Sequence, residues 1–291
     1  MGSKGRTPDG TAAVLAALRD HADELDSRAD EVRRDEFDSV HQMRVSTRRL
    51  RSVLGSYRSL FPDGATDGVR AELRWLGTVL GNARDAEVMA ERFRDLLDSQ
   101  PPELVRGPVR HRLVATNELA YRDAHIEAVA ALDGTRYEAL LASLDALLAA
   151  PPCRTDAVRF GLHRARRKLR KAARKAGLAG RGTVEPTPER LHTVRKRAKA
   201  LRYAAEAAAS TRPSPVRAGK AAKKLQTVLG DHHDSVVARA RLLAAADLAR
   251  GAGEDTFTYG VLTAVEADRV RPAVPRSRKL VRKIRSVSRK L

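Results

Sequence analysis

The sequence predicts an all-α fold built from two similar helical halves. Its composition is dominated by Ala, Leu, Arg, Glu and Lys, which are strong helix formers. Long segments place apolar residues three and four positions apart, and no segment shows the apolar–polar alternation of a strand. A two-part motif also occurs twice in the same order, which indicates an internal duplication.

Clusters of Pro and Gly divide the chain, because both residue types interrupt helices. The predicted helices span 11–37, 38–61, 66–98, 104–131, 134–150, 156–177, 187–211, 215–250 and 254–270, and a short tail helix follows at about 278–290. We assign 11–270 to one domain with halves at 11–150 and 156–270, and 271–291 to a basic tail. Two repeats are too few for an open solenoid, so we expect a pair of packed four-helix bundles.

The duplication rests on two pairs of matched segments. Val40–Arg44 (VHQMR) recurs as Leu191–Arg195 (LHTVR), and in both copies a base, a Leu and an Arg follow seven, nine and ten residues after the His. Leu76–Asp85 (LGTVLGNARD) matches Leu225–Asp234 (LQTVLGDHHD). We interpret the final Asp of each segment as a carboxylate that orients an Arg or His, and helix capping and metal ligation stay open as alternatives.

The net charge of +20, from 56 basic and 36 acidic residues, indicates an anionic partner because so much charge is self-repulsive. Residues 159–202 contain sixteen Lys or Arg and only two Glu, and residues 271–291 contain nine and no acid. The single Cys153 excludes an intramolecular disulfide and suits the cytoplasm. With neither a signal segment nor a run of 18 apolar residues, we expect no transmembrane helix.

The first motif forms a one-sided basic stripe when it is drawn on a helical wheel with about 100° per residue. His41, Arg44, Arg48 and Arg51 share one side, and Met43, Leu50, Leu54, Tyr57 and Phe61 lie opposite. The second copy sets His192, Arg195, Lys199 and Arg202 against Val194, Leu201, Ala205 and Ala208. Each stripe is about 15 Å long, which suits an extended chain of phosphates better than a single phosphate.

Further bases surround these stripes. Arg74 aligns with Lys223 before the repeated Leu-Gly, and Lys220 lies one turn earlier. In the block from His163 to Lys171, one side of the helix carries His163, Arg166, Arg167 and Arg170. These four residues could line the same site, and for any one of them exposure to solvent is an equally good interpretation.

The pattern His-x-x-Arg-x-x-x-(Arg/Lys)-x-Leu-Arg in two copies resembles the CHAD family, the conserved histidine α-helical domain. The resemblance implies two pseudo-symmetric four-helix bundles around a basic central groove or pore. It also implies non-catalytic binding of inorganic polyphosphate, association with polyphosphate granules in the cytoplasm, and a CYTH-type triphosphatase as a separate partner. The family's basic positions fall on His41, Arg44, Arg48, Arg49, Arg51, His192, Arg195, Lys199 and Arg202. Ala200 stands opposite Arg49, and Lys196 and Arg197, on different sides of the helix, offer compensation.

Two other functions compete with this prediction. Duplex nucleic acid remains an alternative because phosphate contacts need only Lys and Arg, whereas single-strand binding is disfavoured by the eleven aromatic residues of the whole chain. A metal-dependent phosphohydrolase would need ligands such as His232, His233, Asp231 and Asp234, but neighbouring helical residues point about 100° apart. We therefore expect no enzyme activity, no metal site and no cofactor. For the basic tail, three interpretations remain: disorder until a partner binds, docking on an anionic membrane, and binding of nucleic acid or the same polyanion.

Overall fold

The computed structural model describes residues 10–150, 152–153, 157–179, 184–210 and 213–288, and these residues contain helices and no strand. The prediction of an all-α fold is confirmed. The helices are α1 (Gly10–Arg33), α2 (Ser39–Ser56), α3 (Ala65–Asp98), α4 (Thr116–Leu132), α5 (Thr135–Ala149), α6 (Ala157–Lys175), α7 (Pro188–Ala207), α8 (Pro213–Gly251), α9 (Phe257–Val270) and α10 (Ala273–Val287).

Several helix boundaries differ from the sequence-based prediction. Helix α2 ends at Ser56 and a 3₁₀ turn, Arg58–Leu60, carries the chain onward. The helix expected from residue 104 begins later, because Gly107 has a left-handed φ of 70° and Pro108 cannot continue a hydrogen-bonded turn. A π-helical turn at His111–Ala115 then leads into α4.

The helices of the two halves have corresponding neighbours. In the first half α1 packs on α2, α2 on α3, α3 on α4, and α5 also contacts α3. In the second half α6 packs on α7, α7 on α8, α8 on α9, and α10 also contacts α8. Contacts between the halves include those of α2 with α7 and of α1 with α6 and α7. This order agrees with a duplication, and the pseudo-symmetry of two four-helix bundles stays a prediction.

The apolar stripes that the wheels identified are buried. On α2 and its 3₁₀ extension these are Met43, Leu50, Leu54, Tyr57 and Phe61, and on α7 and its C-cap they are Val194, Leu201, Ala205 and Ala208. Each buried Leu or Met contributes roughly 1.5–3 kcal/mol of transfer free energy. The main core draws on both halves, so the basic sides of α2 and α7 are held toward each other.

Close packing between α2, α6 and α7 depends on Gly161 and Tyr57. A Cβ at Gly161 would overlap the Tyr57 ring, so only glycine lets α6 approach α2 there. The Tyr57 hydroxyl donates a hydrogen bond to the carbonyl oxygen of Ala204 on α7. Burial also raises the pKa of this hydroxyl, so it remains a donor at any physiological pH.

A second core joins the C-terminal part of α3 to α8 and α9. Beside it, Arg92 of α3 donates to both carboxylate oxygens of Glu266 on α9 at 2.9 and 2.6 Å, and to Ser235 Oγ of α8 at 2.7 Å. The Glu266 side chain is 0% exposed. A buried carboxylate needs such partners, so this cluster fixes the spacing of the three helices.

The basic tail forms α10, which begins earlier than predicted and packs on α8. Ala273, Ser277, Val281 and Ile284 are buried, and Arg278 Nε donates to the Gly177 carbonyl oxygen at the end of α6. The last tail residues, 289–291, lie outside the described residues. None of the helices in the described ranges combines the length and apolar character needed to cross a bilayer.

Candidate anion-binding site

A deep basic pocket lies between the two halves. Its walls come from α2 and α3 of the first half and from α6, α7 and α8 of the second, and its volume is about 1060 Å³. That volume reaches the upper end of the range for small-ligand pockets, which run to about 1,000 Å³. Among the described residues that line it are thirteen Arg or Lys, three His and two Asp.

The repeated Leu-Gly-x-x-x-Asp segment positions an arginine in the first half. The Arg44 guanidinium lies against Gly81 of α3, where an added Cβ would stand 3.3 Å from Arg44 Nη2. One turn later Asp85 accepts a hydrogen bond from Arg44 Nη1 at 2.9 Å. Glycine therefore makes room for the guanidinium, and the carboxylate orients it.

The second copy repeats this arrangement more loosely. A Cβ at Gly230 of α8 would stand 3.6 Å from Arg195 Nε, and Arg195 Nη2 lies 3.8 Å from Asp234 Oδ1. At that distance the pair is an ion pair rather than a hydrogen bond. The orienting role that the sequence suggested for Asp85 and Asp234 thus has a geometric basis in both halves.

The two halves also touch inside the pocket. Arg48 of α2 donates from Nε to the Tyr203 hydroxyl of α7 at 3.2 Å. Tyr203 itself is 3% exposed and belongs to the main core. A pocket cation of the first half is therefore positioned by a core residue of the second.

Burial and, after it, the crowding of like charges lower the pKa of several pocket bases. Burial, followed by Arg48, Arg195 and Arg44, lowers the pKa of Lys199 to about 7. Burial and neighbouring arginines also lower the pKa of Arg44 and Arg51. Burial removes these cations from water, which costs free energy, and repulsion between the cations adds to that cost. A bound anion would offset both the desolvation and the repulsion, so the pocket favours one.

The histidines of the motif are held in their neutral form. Burial and Arg84 lower the pKa of His41, and burial with His233 and Lys196 lowers that of His192 to about 4. The rings of His192 and His233 lie 4.2 Å apart between centroids. At neutral pH these imidazoles are polar hydrogen-bonding groups, and a nearby anion would raise their pKa.

Comparison with known proteins identifies the family. The model of the CHAD domain matches residues 16–243, which is more than half of the chain. The chain belongs to the CHAD domain family. A solved structure of the CHAD domain from the plant Ricinus communis is 26% identical, with a TM-score of 0.69 over 94% of this chain and 91% of the other.

Other relatives extend this picture. PptA from Streptomyces chartreusis shares the fold at 23% identity, with a TM-score of 0.66 over 96% of this chain and 98% of that one. Two Mycobacterium tuberculosis proteins described as uncharacterised, MT2285 and Rv2226, are each 42% identical over 274 residues. This CHAD chain spans 52% of their length, about half of those curated relatives.

The pocket of this CHAD domain brings together about half of the residues predicted for the site. The predicted residues that line it are His41, Arg44, Arg48, Arg51, Arg74, His192, Arg195, Lys196 and Lys199. They come from α2, α3 and α7, and they include seven of the eight residues of the two basic stripes, all but Arg202.

Two other motif arginines do not line the pocket. Arg49 points toward α1, where its Nη1 lies 3.6 Å from Glu24 Oε2. Arg202 donates to Glu206 Oε1 at 2.7 Å and to Gln226 Oε1 at 3.2 Å. Glu206 occupies the position that Gly55 holds in the first copy. Arg202 therefore pairs with a carboxylate on its own helix, and Arg51 of the first copy has no such partner at that position.

The basic block on α6 faces the pocket with a different side from the one predicted. Arg164 and Lys168 line the pocket, whereas His163, Arg167 and Arg170 are exposed and Arg166 is half-buried outside it. The helix buries Leu162, Ala165 and Leu169, which turns Arg164 and Lys168 inward. On α8, Lys220 and Lys223 are likewise exposed and outside the pocket lining.

Several pocket bases were not chosen as site residues from the sequence. These are Arg70, Arg84, Arg164, Lys168, Arg197, His233 and Arg241. The alignment of Arg84 with His233 between the two copies was a usable signal, because each lies one residue before the orienting Asp. No periodicity within one helix could identify the others, since they reach the pocket from different helices.

Proposed function

We propose that this CHAD domain binds inorganic polyphosphate, without chemical conversion, in the pocket between its halves. The observation that carries the proposal is a set of pocket-lining side chains whose buried nitrogen atoms lack a hydrogen-bond partner. Within the described part of the chain, Arg70 Nε, Arg84 Nε, Arg195 Nε and His192 Nδ1 have no hydrogen-bond acceptor. Buried donors seek acceptors, and phosphate oxygens accept from guanidinium groups in charge-assisted pairs.

The recessed shape of the pocket favours a flexible polyanion over a duplex. Only 28% of the Arg44 side chain and 20% of the Arg195 side chain are exposed. A chain of phosphates can enter between α2 and α7, whereas duplex phosphates lie on a rigid outer surface and suit exposed bases. Binding of duplex DNA is thus the competing function, and displacement of labelled polyphosphate by DNA at matched phosphate concentration tests it.

The decisive experiment reverses two motif arginines together, in R44E/R195E. Both residues line the pocket and reach it from different halves, so polyphosphate affinity should fall by about two orders of magnitude or more. Titration calorimetry measures the affinity, and circular dichroism checks that helix content is kept. The variant R44Q/R195Q removes the charges without adding new ones and should weaken binding in the same direction.

A charge-matched control is available on the outer surface. Arg250 and Arg271 are exposed and lie outside the pocket lining, so R250E/R271E changes the net charge equally. Its affinity should stay within about threefold of the unmodified protein, because exposed charges are screened by salt. Equal losses in both double variants would refute a pocket site.

The absence of catalysis is part of the proposal and has its own assay. The two carboxylates of the pocket, Asp85 and Asp234, are each paired with an arginine, which makes them poor general bases. Among the described residues no three His, Cys, Asp or Glu side chains cluster as metal ligands would. Phosphate release from polyphosphate, measured with and without Mg²⁺ or Mn²⁺, should stay at background, and release that R44E/R195E abolishes would contradict the proposal.

The cellular setting follows from the same proposal. We place the protein in the cytoplasm at polyphosphate granules, with a separate CYTH-type triphosphatase as a partner. A fluorescent fusion should colocalise with granules and become diffuse in R44E/R195E. Affinity capture of the unmodified protein with and without polyphosphatase treatment tests whether such a partner is recruited directly or through the polymer.

A further inference from the structure

A second row of bases leaves the pocket along α6. Arg164 and Lys168 line the pocket, and Lys171 and Lys175 follow on the same side of the helix, where they are exposed. Spacings of four, three and four residues keep all four within about 60° of one another on the helix. The row measures about 16 Å, from the pocket wall to the end of α6.

We infer that this row, the α6 stripe (Arg164, Lys168, Lys171, Lys175), is an exit track for the part of a long polyanion that the pocket does not hold. The inference rests on the proposed function and adds a second subsite to it. A linear polyphosphate longer than the pocket must extend beyond it. The α6 stripe offers the part outside the pocket a continuous line of positive charge. Binding would then strengthen with chain length beyond the capacity of the pocket.

The charge of α6 has no counterpart within its own helix. Between residues 157 and 179 the sequence contains nine Lys or Arg and no Asp or Glu. Some surface arginines of other helices pair with an acid three residues away, as Arg28 does with Glu31 and Arg250 with Asp247, although α10 also lacks acids. Opposite charges at that spacing are a common stabilising feature of surface helices, so α6 gives up this stabilisation along its whole length.

Interaction with the helix dipole explains only part of this composition. The last turn of α6 carries Arg174 and Lys175, which interact favourably with the negative end of a helix. The dipole acts within one turn, so it does not explain Arg164, Lys168 or Lys171. The pKa of Lys168 is lowered by burial and then by Arg164 and Arg197, which shows cations crowding where the α6 stripe leaves the pocket.

The test compares two chain lengths against two charge reversals on the same helix. K171E/K175E alters the outer part of the α6 stripe, and R170E/R174E alters equally exposed bases about 80–120° away. Tripolyphosphate is short enough to remain in the pocket, and long-chain polyphosphate is not. For the long chain, K171E/K175E should lower affinity about tenfold and reduce the slope of log affinity against log salt by one to two, whereas R170E/R174E should stay within about threefold. Tripolyphosphate should bind all three proteins within about twofold.

The outcomes separate the two proposals. If tripolyphosphate does not bind, or binds R44E/R195E as well as the unmodified protein, the proposed function fails. If tripolyphosphate behaves as expected but both α6 variants weaken the long chain equally, the pocket stands and the track is overturned. Loss of duplex DNA binding in K171E/K175E, with long-chain polyphosphate unaffected, would also overturn it. K171Q/K175Q provides a milder change should the reversal disturb the helix by circular dichroism.

Discussion

The Nε of Arg48 in α2 donates a hydrogen bond to the Tyr203 hydroxyl in α7, 3.2 Å away, across the boundary between the two halves. Arg48 lines the pocket, while Tyr203 packs in the core behind it. The position of a basic side chain in one half therefore depends on the folding of the other. A fragment containing either half alone would present an incomplete set of cations.

Replacing Tyr203 with Phe tests this coupling. The ring keeps its packing, and Arg48 loses the acceptor that holds its guanidinium in place. A hydrogen bond to a charged group contributes roughly 1.5–3 kcal/mol, of which only part concerns ligand binding. We expect polyphosphate affinity to fall two- to tenfold in calorimetry, with helix content unchanged. Unchanged affinity in Y203F would show that Arg48 is positioned without the tyrosine.

Gly81→Ala separates binding from stability. The new Cβ would stand 3.3 Å from Arg44 Nη2, so the guanidinium must shift and its hydrogen bond to Asp85 is disturbed. We expect a several-fold loss of polyphosphate affinity, while replacement of a helical glycine by Ala favours the helix by about 0.5–1 kcal/mol. Gly68→Ala on the same helix is the matched control, because nothing lies within 4 Å of its Cβ position. That control should raise the melting temperature and leave affinity unchanged.

The affinity for polyphosphate should depend on pH through Lys199. In the protein without an anion its pKa is about 7, and a bound anion favours the charged form and raises that pKa. Binding therefore takes up a proton at Lys199 above pH 7, so affinity should decline as the pH rises beyond about 7. Calorimetry in buffers of different ionisation enthalpy measures the proton uptake directly.

Lys199→Arg is the control for this pH profile. Guanidinium groups stay charged far above neutral pH, so K199R should bind with nearly constant affinity between about pH 7 and about pH 9. The same linkage concerns the stability of the anion-free protein. Lys199 has a pKa of about 7 in the folded state and 10.5 when unfolded, so the unfolded state binds more protons between these values and the folded state gains stability as the pH rises from 7 towards 10.5. A profile that persists unchanged in K199R would assign the titration to another group.

Glu266→Gln should destabilise the protein more than any exposed ion-pair change. Its carboxylate is fully buried and accepts both Arg92 hydrogen bonds, and breaking a buried pair typically costs about 3–5 kcal/mol. A domain of this size loses about 2–4 °C of melting temperature for each kcal/mol of stability, so we expect a fall of about 6–20 °C. Asp247→Asn, in the exposed pair with Arg250, should change it by less than about 3 °C. Similar shifts in the two variants would contradict the importance of the buried cluster.

The sequence predicted the helices and the basic sides of α2 and α7 because both depend on spacing within one helix. Met43 and Leu50 define a buried side, and the opposite side must then face outward or toward a partner. The side of α6 that lines the pocket was not predictable in this way, since bases cover most of its circumference. Which side turns inward depends on tertiary contacts such as that of Gly161 with Tyr57.

The sequence repeat also concealed differences between the two copies, because residues that match in sequence have different neighbours in the structure. Arg51 and Arg202 match in sequence, but Glu206 draws Arg202 out of the pocket where Gly55 leaves Arg51 in it. The repeated Gly and Asp were visible in the sequence, yet their joint role required the position of Arg44 between them. A motif shows which residues recur, and packing decides which of them meet.

The thirteen Lys and Arg residues of the pocket wall, counted among the described residues, have a consequence for discrimination between anions. Such a wall offers many charges of one sign and few features that fit a particular outline. Small anions would each neutralise one or two cations and exchange quickly, whereas one polymer neutralises many and releases all their counterions together. The pocket would thus select by valence, and the number of linked charges in a molecule would decide which anion stays.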